Sequence, residues 1–132
     1  MAWLEDLAER LIALGHVGGQ SGWGISTHNM PPADAKVSEQ FVCLRSQPGG
    51  EFSEKQGPDE RGLQLRVRSK AGELGQAESK IYAIRDALIL IGDERVGDTD
   101  VRWIETRHGG ANHYTDNGKH FFSISFTAAL SG

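Results

Sequence analysis

The chain has 132 residues, a net charge of −4 at neutral pH and a single cysteine, Cys43. That length suits one domain with one core, and the acidic balance argues against a general nucleic-acid binder, which needs a basic surplus to displace counterions. One thiol excludes an internal disulfide and is compatible with reducing conditions.

The N-terminal run MAWLEDLAERLIALG places acids among its apolar residues, the wrong charge order for a signal peptide, and no apolar run approaches the ~20 residues of a membrane span. A soluble intracellular product is expected. Trp3, Leu4, Leu7, Ala8, Leu11, Ile12 and Leu14 form a stripe at helical spacing, with Glu5 and Asp6 suited to the helix dipole and Gly15 as a stop. Gly22 to His28 reads as a first strand, ended by Asn29-Met30-Pro31-Pro32, because proline cannot continue a central ladder. Gln40 to Arg45 is almost wholly apolar and reads as a buried strand.

Ser46 to Arg61 then forms a long polar excursion with one large apolar residue, Phe52, and loops of that length are usually functional or disordered. Gly62 to Lys70 alternates, with Leu63, Leu65 and Val67 opposite Gln64, Arg66, Arg68 and Lys70. A second helix follows in the steps Leu74, Ala77, Ile81, Ile84, Leu88 and Ile91, with Gly92 as a C-cap candidate. Val101 to Arg107 and His120 to Ala128 are the last two strands. They are joined by a hairpin loop over 108–119, whose Asn117-Gly118 pair is a strong turn signal. Two helices on one face of a largely antiparallel sheet is the economical arrangement, so the sequence predicts one α+β domain over 1–132.

No catalytic constellation stands out, and the chain is expected to be neither an enzyme nor dependent on a cofactor or metal. His108, His113 and His120 cluster near the hairpin, but their spacing matches no zinc pattern and surface histidines are the plainer reading. Cys43 lies in an apolar strand with no nearby base, as an inert buried thiol would. The glycines of HVGGQSGWG lack the companions of a phosphate loop. Asp93-Glu94 and Asp98-Thr99-Asp100 read as a solvated acidic connection, since calcium-loop spacing is missing. Trp3 belongs to the helix stripe. Trp103 shares the parity of Val101, so core burial is expected for both tryptophans, whereas Trp23, set between glycines, is expected to be partly exposed.

The cationic face of Arg66, Arg68 and Lys70 is the feature that asks for a partner. A solvated sheet face with a cross-strand acid such as Glu105 is one reading. The order of helix, strands and helix is compatible with a double-stranded RNA-binding domain as another, but GELGQAESK puts acids where that module needs bases. A small monomeric nucleic-acid-binding module therefore stands as the alternative function.

Taken in order, the WLEDLAERLIALG helix, the strand ending in MPP, GLQLRVRSK, the helix AESKIYAIRDALI and the hairpin TDNGKHFFSISFTA resemble the bacteriophage minor capsid proteins of the tail-terminator group. The resemblance covers nearly the whole chain. HVGGQSGWG and GGEFSEKQG depart from the pattern. It implies a virion structural protein at the head–tail interface: a homo-oligomeric ring, commonly a hexamer, capping the tail tube. Such a ring ends tube polymerisation and joins the tail to the head connector, while double-stranded DNA passes through the lumen without sequence-specific binding. Long polar loops and open sheet edges agree with such assembly. On this reading Glu51, Phe52 and Lys55 of the loop, with Arg66 and Arg68 of the sheet, are the expected subunit-interface residues.

Overall fold

The computed structural model describes residues 3–32, 39–47, 59–107 and 110–131. Helix α1, Trp3–Ala13, buries Trp3, Leu4, Leu7, Ala8 and Leu11, a stripe stepping by three and four. Its end is a Schellman motif in which Gly15 donates to the Ile12 carbonyl and His16 to that of Leu11. Ile12 and Leu14 lie off the buried stripe, 37% and 53% exposed. Helix α2, Leu74–Ile89, buries Ala77, Ile81, Ile84 and Leu88. Leu74 is exposed, and Ile91 enters the core from beyond the helix. Gly92 is not the cap: Leu90 holds that position in the right-handed region, and Gly92 opens a strand.

Among the described residues there are seven strands rather than five: β1 Gly24–Ser26, β2 Phe41–Gln47, β3 Asp59–Arg68, β4 Gly92–Val96, β5 Thr99–Thr106, β6 Asn112–Asp116 and β7 Lys119–Ser131. They make one sheet in the order β1-β2-β3-β7-β5-β4, with β6 also paired to β7. β1 runs parallel to β2, and every other pair is antiparallel. β7 is the spine. One edge takes β3 from Phe121 to Leu130, and the other takes β6 and then β5.

Alternation on β3 sends Leu63, Leu65 and Val67 to one face, in register with Phe126, Ile124 and Phe122 of β7. The buried faces of both helices join these residues in one core. The fold is therefore α+β, with two helices on one side of a mainly antiparallel sheet.

Three departures from the sequence reading have clear causes. β2 continues through Gln47 and β3 begins at Asp59, so both ends of 46–61 are strand and 48–58 lies outside the described residues. The acidic connection is the β4–β5 hairpin, whose charges pair within it, Asp93 with Arg102 and Arg95 with Asp98 and Asp100. The segment 108–119 contains β6, closed onto β7 by Asn117 and Gly118 at φ 52° and 77°, the geometry that selects Asn-Gly in a two-residue hairpin.

Candidate interaction surface

Helices cover one face of the sheet, and the other presents its side chains in rows set by strand register. One row reads Phe41, Arg68, Phe121 and Tyr114; the next reads Cys43, Arg66, Ser123 and Asn112. Beyond these come Arg45, Gln64 and Ser125, then Gln47, Gly62, Thr127 and Glu105. The polar positions of β3 thus share a surface with the polar positions of β7 and β5.

The cations on this face have separate tasks. Arg68 is 4% exposed. Its guanidinium donates from Nε to the Glu39 carbonyl at 2.7 Å and from an Nη to the Pro31 carbonyl, and lies over the Phe41 ring at 5.7 Å. It ties the segments before β2 to β3. Burial lowers its pKa and the Glu39 charge opposes that, but a guanidinium remains cationic at neutral pH. Arg66 is half-buried and donates to the Tyr114 hydroxyl at 2.9 Å, while Tyr114 stacks on Phe121 at 4.8 Å. Glu105 does not serve Arg66, because register sets it opposite Thr127, two rows away. Lys70 is exposed beyond the end of β3.

Two arginines that the sequence reading passed over complete the surface. Arg45, on β2, is exposed and has no hydrogen-bond or ion-pair partner among the described residues. Arg107 follows β5. Its backbone N–H donates to Ser125 and its Nε to the Thr127 hydroxyl at 3.1 Å, and the side chain lies across β7 to Gly62. A Cβ at Gly62 would stand 2.7 Å from the Arg107 Nη and closer still to the Gln47 carbonyl, so glycine is required by the close approach. One Nη of Arg107 and Oε1 of Gln47 are buried without partners. The signal available in sequence was the ETR ending, which keeps Arg107 on the parity of Glu105.

Trp103 is on this face as well. A bulge between Val101 and Trp103 shifts the register, so that Ile104 rather than Trp103 shares the core side with Val101. Trp103 is half-buried opposite Ala129. Trp3 is in the core as expected, and Trp23, expected to be partly exposed, is 8% exposed with the Lys80 ammonium over its ring at 5.2 Å. Cys43 is fully buried and free.

On the helix side, His113 Nε2 and His120 Nδ1 are 3.0 Å apart, and the His113 ring stacks on Phe122. His108 lies outside the described residues. Among the described residues no three His, Cys, Asp or Glu side chains group as metal ligands. A shallow groove of about 790 Å³ runs between Trp23 and the start of α2, past Glu73, Gln76 and Lys80. Burial lowers the Lys80 pKa, and its Nζ donates to the His16 carbonyl at 2.9 Å. Glu51, Phe52 and Lys55 lie outside the described residues. No described helix is long and apolar enough to cross a membrane.

No family model matches the sequence, and no curated protein matches it. Solved structures do. A chain from the virion of a native gene transfer agent particle aligns with a TM-score of 0.71 at 15% identity, over 98% of this chain and 95% of that one. This protein has that virion chain's fold. A second solved structure aligns with a TM-score of 0.56 at 13% identity, over 97% and 96% of the two chains. At such identities the likeness is one of fold, over nearly the whole length of each chain.

Proposed function

We propose that this protein is a structural component of a phage-like virion and acts there as a tail terminator. A ring of subunits, six in the simplest form, caps the tail tube, ends its polymerisation and presents a surface to the head connector. DNA passes through its lumen. No catalysis and no cofactor are part of this role. The observation that carries the reading is the whole-length fold likeness to a chain of a gene transfer agent virion, joined to the tail-terminator resemblance of the sequence motifs.

The physical features agree with assembly. The outer edges of β4 and β6 have no strand partner among the described residues, and their residues are almost all exposed. In this reading Glu51, Phe52, Lys55 and Arg66 belong to the subunit interface; Arg68 supports it from within its own subunit. The test is electron microscopy of the purified protein mixed with growing tail tubes. Rings at tube ends and arrested tube length are expected, with capping lost in Phe52→Ala while the isolated subunit keeps its melting temperature. Tubes that elongate uncapped at every protein concentration would refute the role. A second reading, a monomeric nucleic-acid-binding module, draws on the arginines of the sheet face away from the helices. It requires duplex binding that weakens steeply with salt.

A further inference from the structure

Apart from Arg61 and Arg68 of β3, the arginines of the described residues sort by place in the fold. On the helices and the β4–β5 hairpin they are matched to carboxylates: Arg10 to Glu94, Arg85 to Asp86, Arg95 to Asp98 and Asp100, Arg102 to Asp93. On the sheet face away from the helices Arg45 has no partner among the described residues, Arg66 has a neutral hydroxyl, and Arg107 has a hydroxyl and one buried Nη without an acceptor. Arg45 and Arg66 are on adjacent strands one row apart, a diagonal of about 7–8 Å, and so can act on one surface together. Acids are present on this face, Glu105 among them, but none is bonded to these arginines.

The helix layer shows the complement. Glu9 on α1 and Glu78 on α2 are exposed and have no cationic or hydrogen-bond partner among the described residues. The acids of the hairpin, by contrast, each have a cationic partner within the chain, Asp98 and Asp100 sharing Arg95. One subunit therefore carries unmatched guanidinium groups on the sheet face, two rows from Glu105, and unmatched carboxylates on the helix layer.

We infer that the accessible part of the sheet face away from the helices, through Arg45 and Arg66 and with Arg107 behind them, receives Glu9 and Glu78 from the helix layer of a second copy of this chain. This rests on the ring reading and supplies its interface. The two patches lie on opposite layers of one subunit, so a two-fold contact cannot join each to the other; the contact is head-to-tail. Head-to-tail contacts close into rings when the rotation per subunit allows it. A nucleic-acid partner is disfavoured on the same page. The chain is net acidic, and three arginines would neutralise about three phosphates, too few for tight binding at physiological salt.

The experiment is charge exchange, read by sedimentation velocity of the protein alone and by capping of tail tubes. Arg45→Glu with Arg66→Glu should weaken self-association on the order of tenfold or more, and so should Glu9→Lys with Glu78→Lys. A chain carrying all four changes reverses both layers and should recover assembly, which no purely structural role for these residues would produce. All variants should melt close to the wild type, since the four side chains are exposed or half-exposed. Undiminished assembly of the arginine variant overturns the inference while leaving the ring reading intact. So does failure of the four-fold variant to recover although it is folded. Intact assembly with lost, salt-sensitive retention of duplex DNA assigns the face to nucleic acid and also overturns it. Wild-type protein that never self-associates, alone or on tubes, overturns both readings.

Discussion

Arg66 and Arg68 look equivalent on paper, two positions apart on the same side of one strand, and Arg68→Ala separates them. The Arg68 guanidinium donates to the carbonyls of Glu39 and Pro31 and covers the Phe41 ring. A hydrogen bond from a charged donor contributes about 1.5–3 kcal/mol, so two give a ceiling near 6 kcal/mol. Water can reach part of the vacated site, and we expect a loss of about 3 kcal/mol, with Arg68→Lys recovering little because one ammonium cannot span both carbonyls as a fork does. For a domain of this size that corresponds to a fall in melting temperature of about 10 °C. Arg66→Ala removes one partly exposed bond to Tyr114 and should cost less than about 1 kcal/mol. Thermal and urea denaturation of the two variants, side by side, gives the answer. If Arg68→Ala melts within about 2 °C of the wild type, the clamp does not hold the segment before β2, and Arg68 returns to the surface account.

Three further outcomes follow from the same structure. Ile104→Ala should cost about 2–5 kcal/mol and Trp103→Ala less than half as much, the reverse of simple alternation from Val101; equal losses in urea denaturation would contradict the bulge. Gly62→Ala should destabilise by about 1–3 kcal/mol, because its methyl meets the Gln47 carbonyl and Arg107; an unchanged urea midpoint would show that the strands part without cost. Burial, with the Lys80 charge second, holds the His16 pKa below its ordinary 6.5, so the folded chain takes up this proton less readily than the unfolded one. Its contribution is complete above pH 6.5 and declines as the pH falls toward the lowered value; His16→Gln should flatten that limb of the stability–pH curve.

What the sequence revealed depended on whether a residue's surroundings were local. The α2 stripe, the alternation of β3 and the Asn117-Gly118 turn are set by spacing or by one dipeptide, and each is where the sequence placed it except at the two ends of the stripe, Leu74 and Ile91. β4 was read as a loop because it is an edge strand with one buried residue, Val96, and its cross-strand charges carry no apolar period. Trp103 was assigned to the wrong face because one bulged residue reverses parity, and nothing in VRWIETR announces it. Arg68 was read as a surface cation because its acceptors are carbonyls of segments 29 and 37 residues away. The arginine face, as a collection of Arg45, Arg66 and Arg107 from three places in the chain, exists only once register is known.

The central position of β7 has a consequence for how the subunit comes into being. β3, β5 and β6 all pair with it, and its β3 partners lie more than fifty residues upstream. Until β7 is added, Leu63, Leu65 and Val67 sit on a strand with one open edge and no Phe122, Ile124 or Phe126 to cover them. Such distant pairing makes folding slow and leaves the intermediate adhesive. A chain interrupted before Lys119 should therefore clump rather than fold in part. On the ring reading, the same ordering would act as a safeguard during synthesis: Arg66, Tyr114 and Arg107 share one sheet face only once β7 has docked, so unfinished chains would present an incomplete surface to a neighbour.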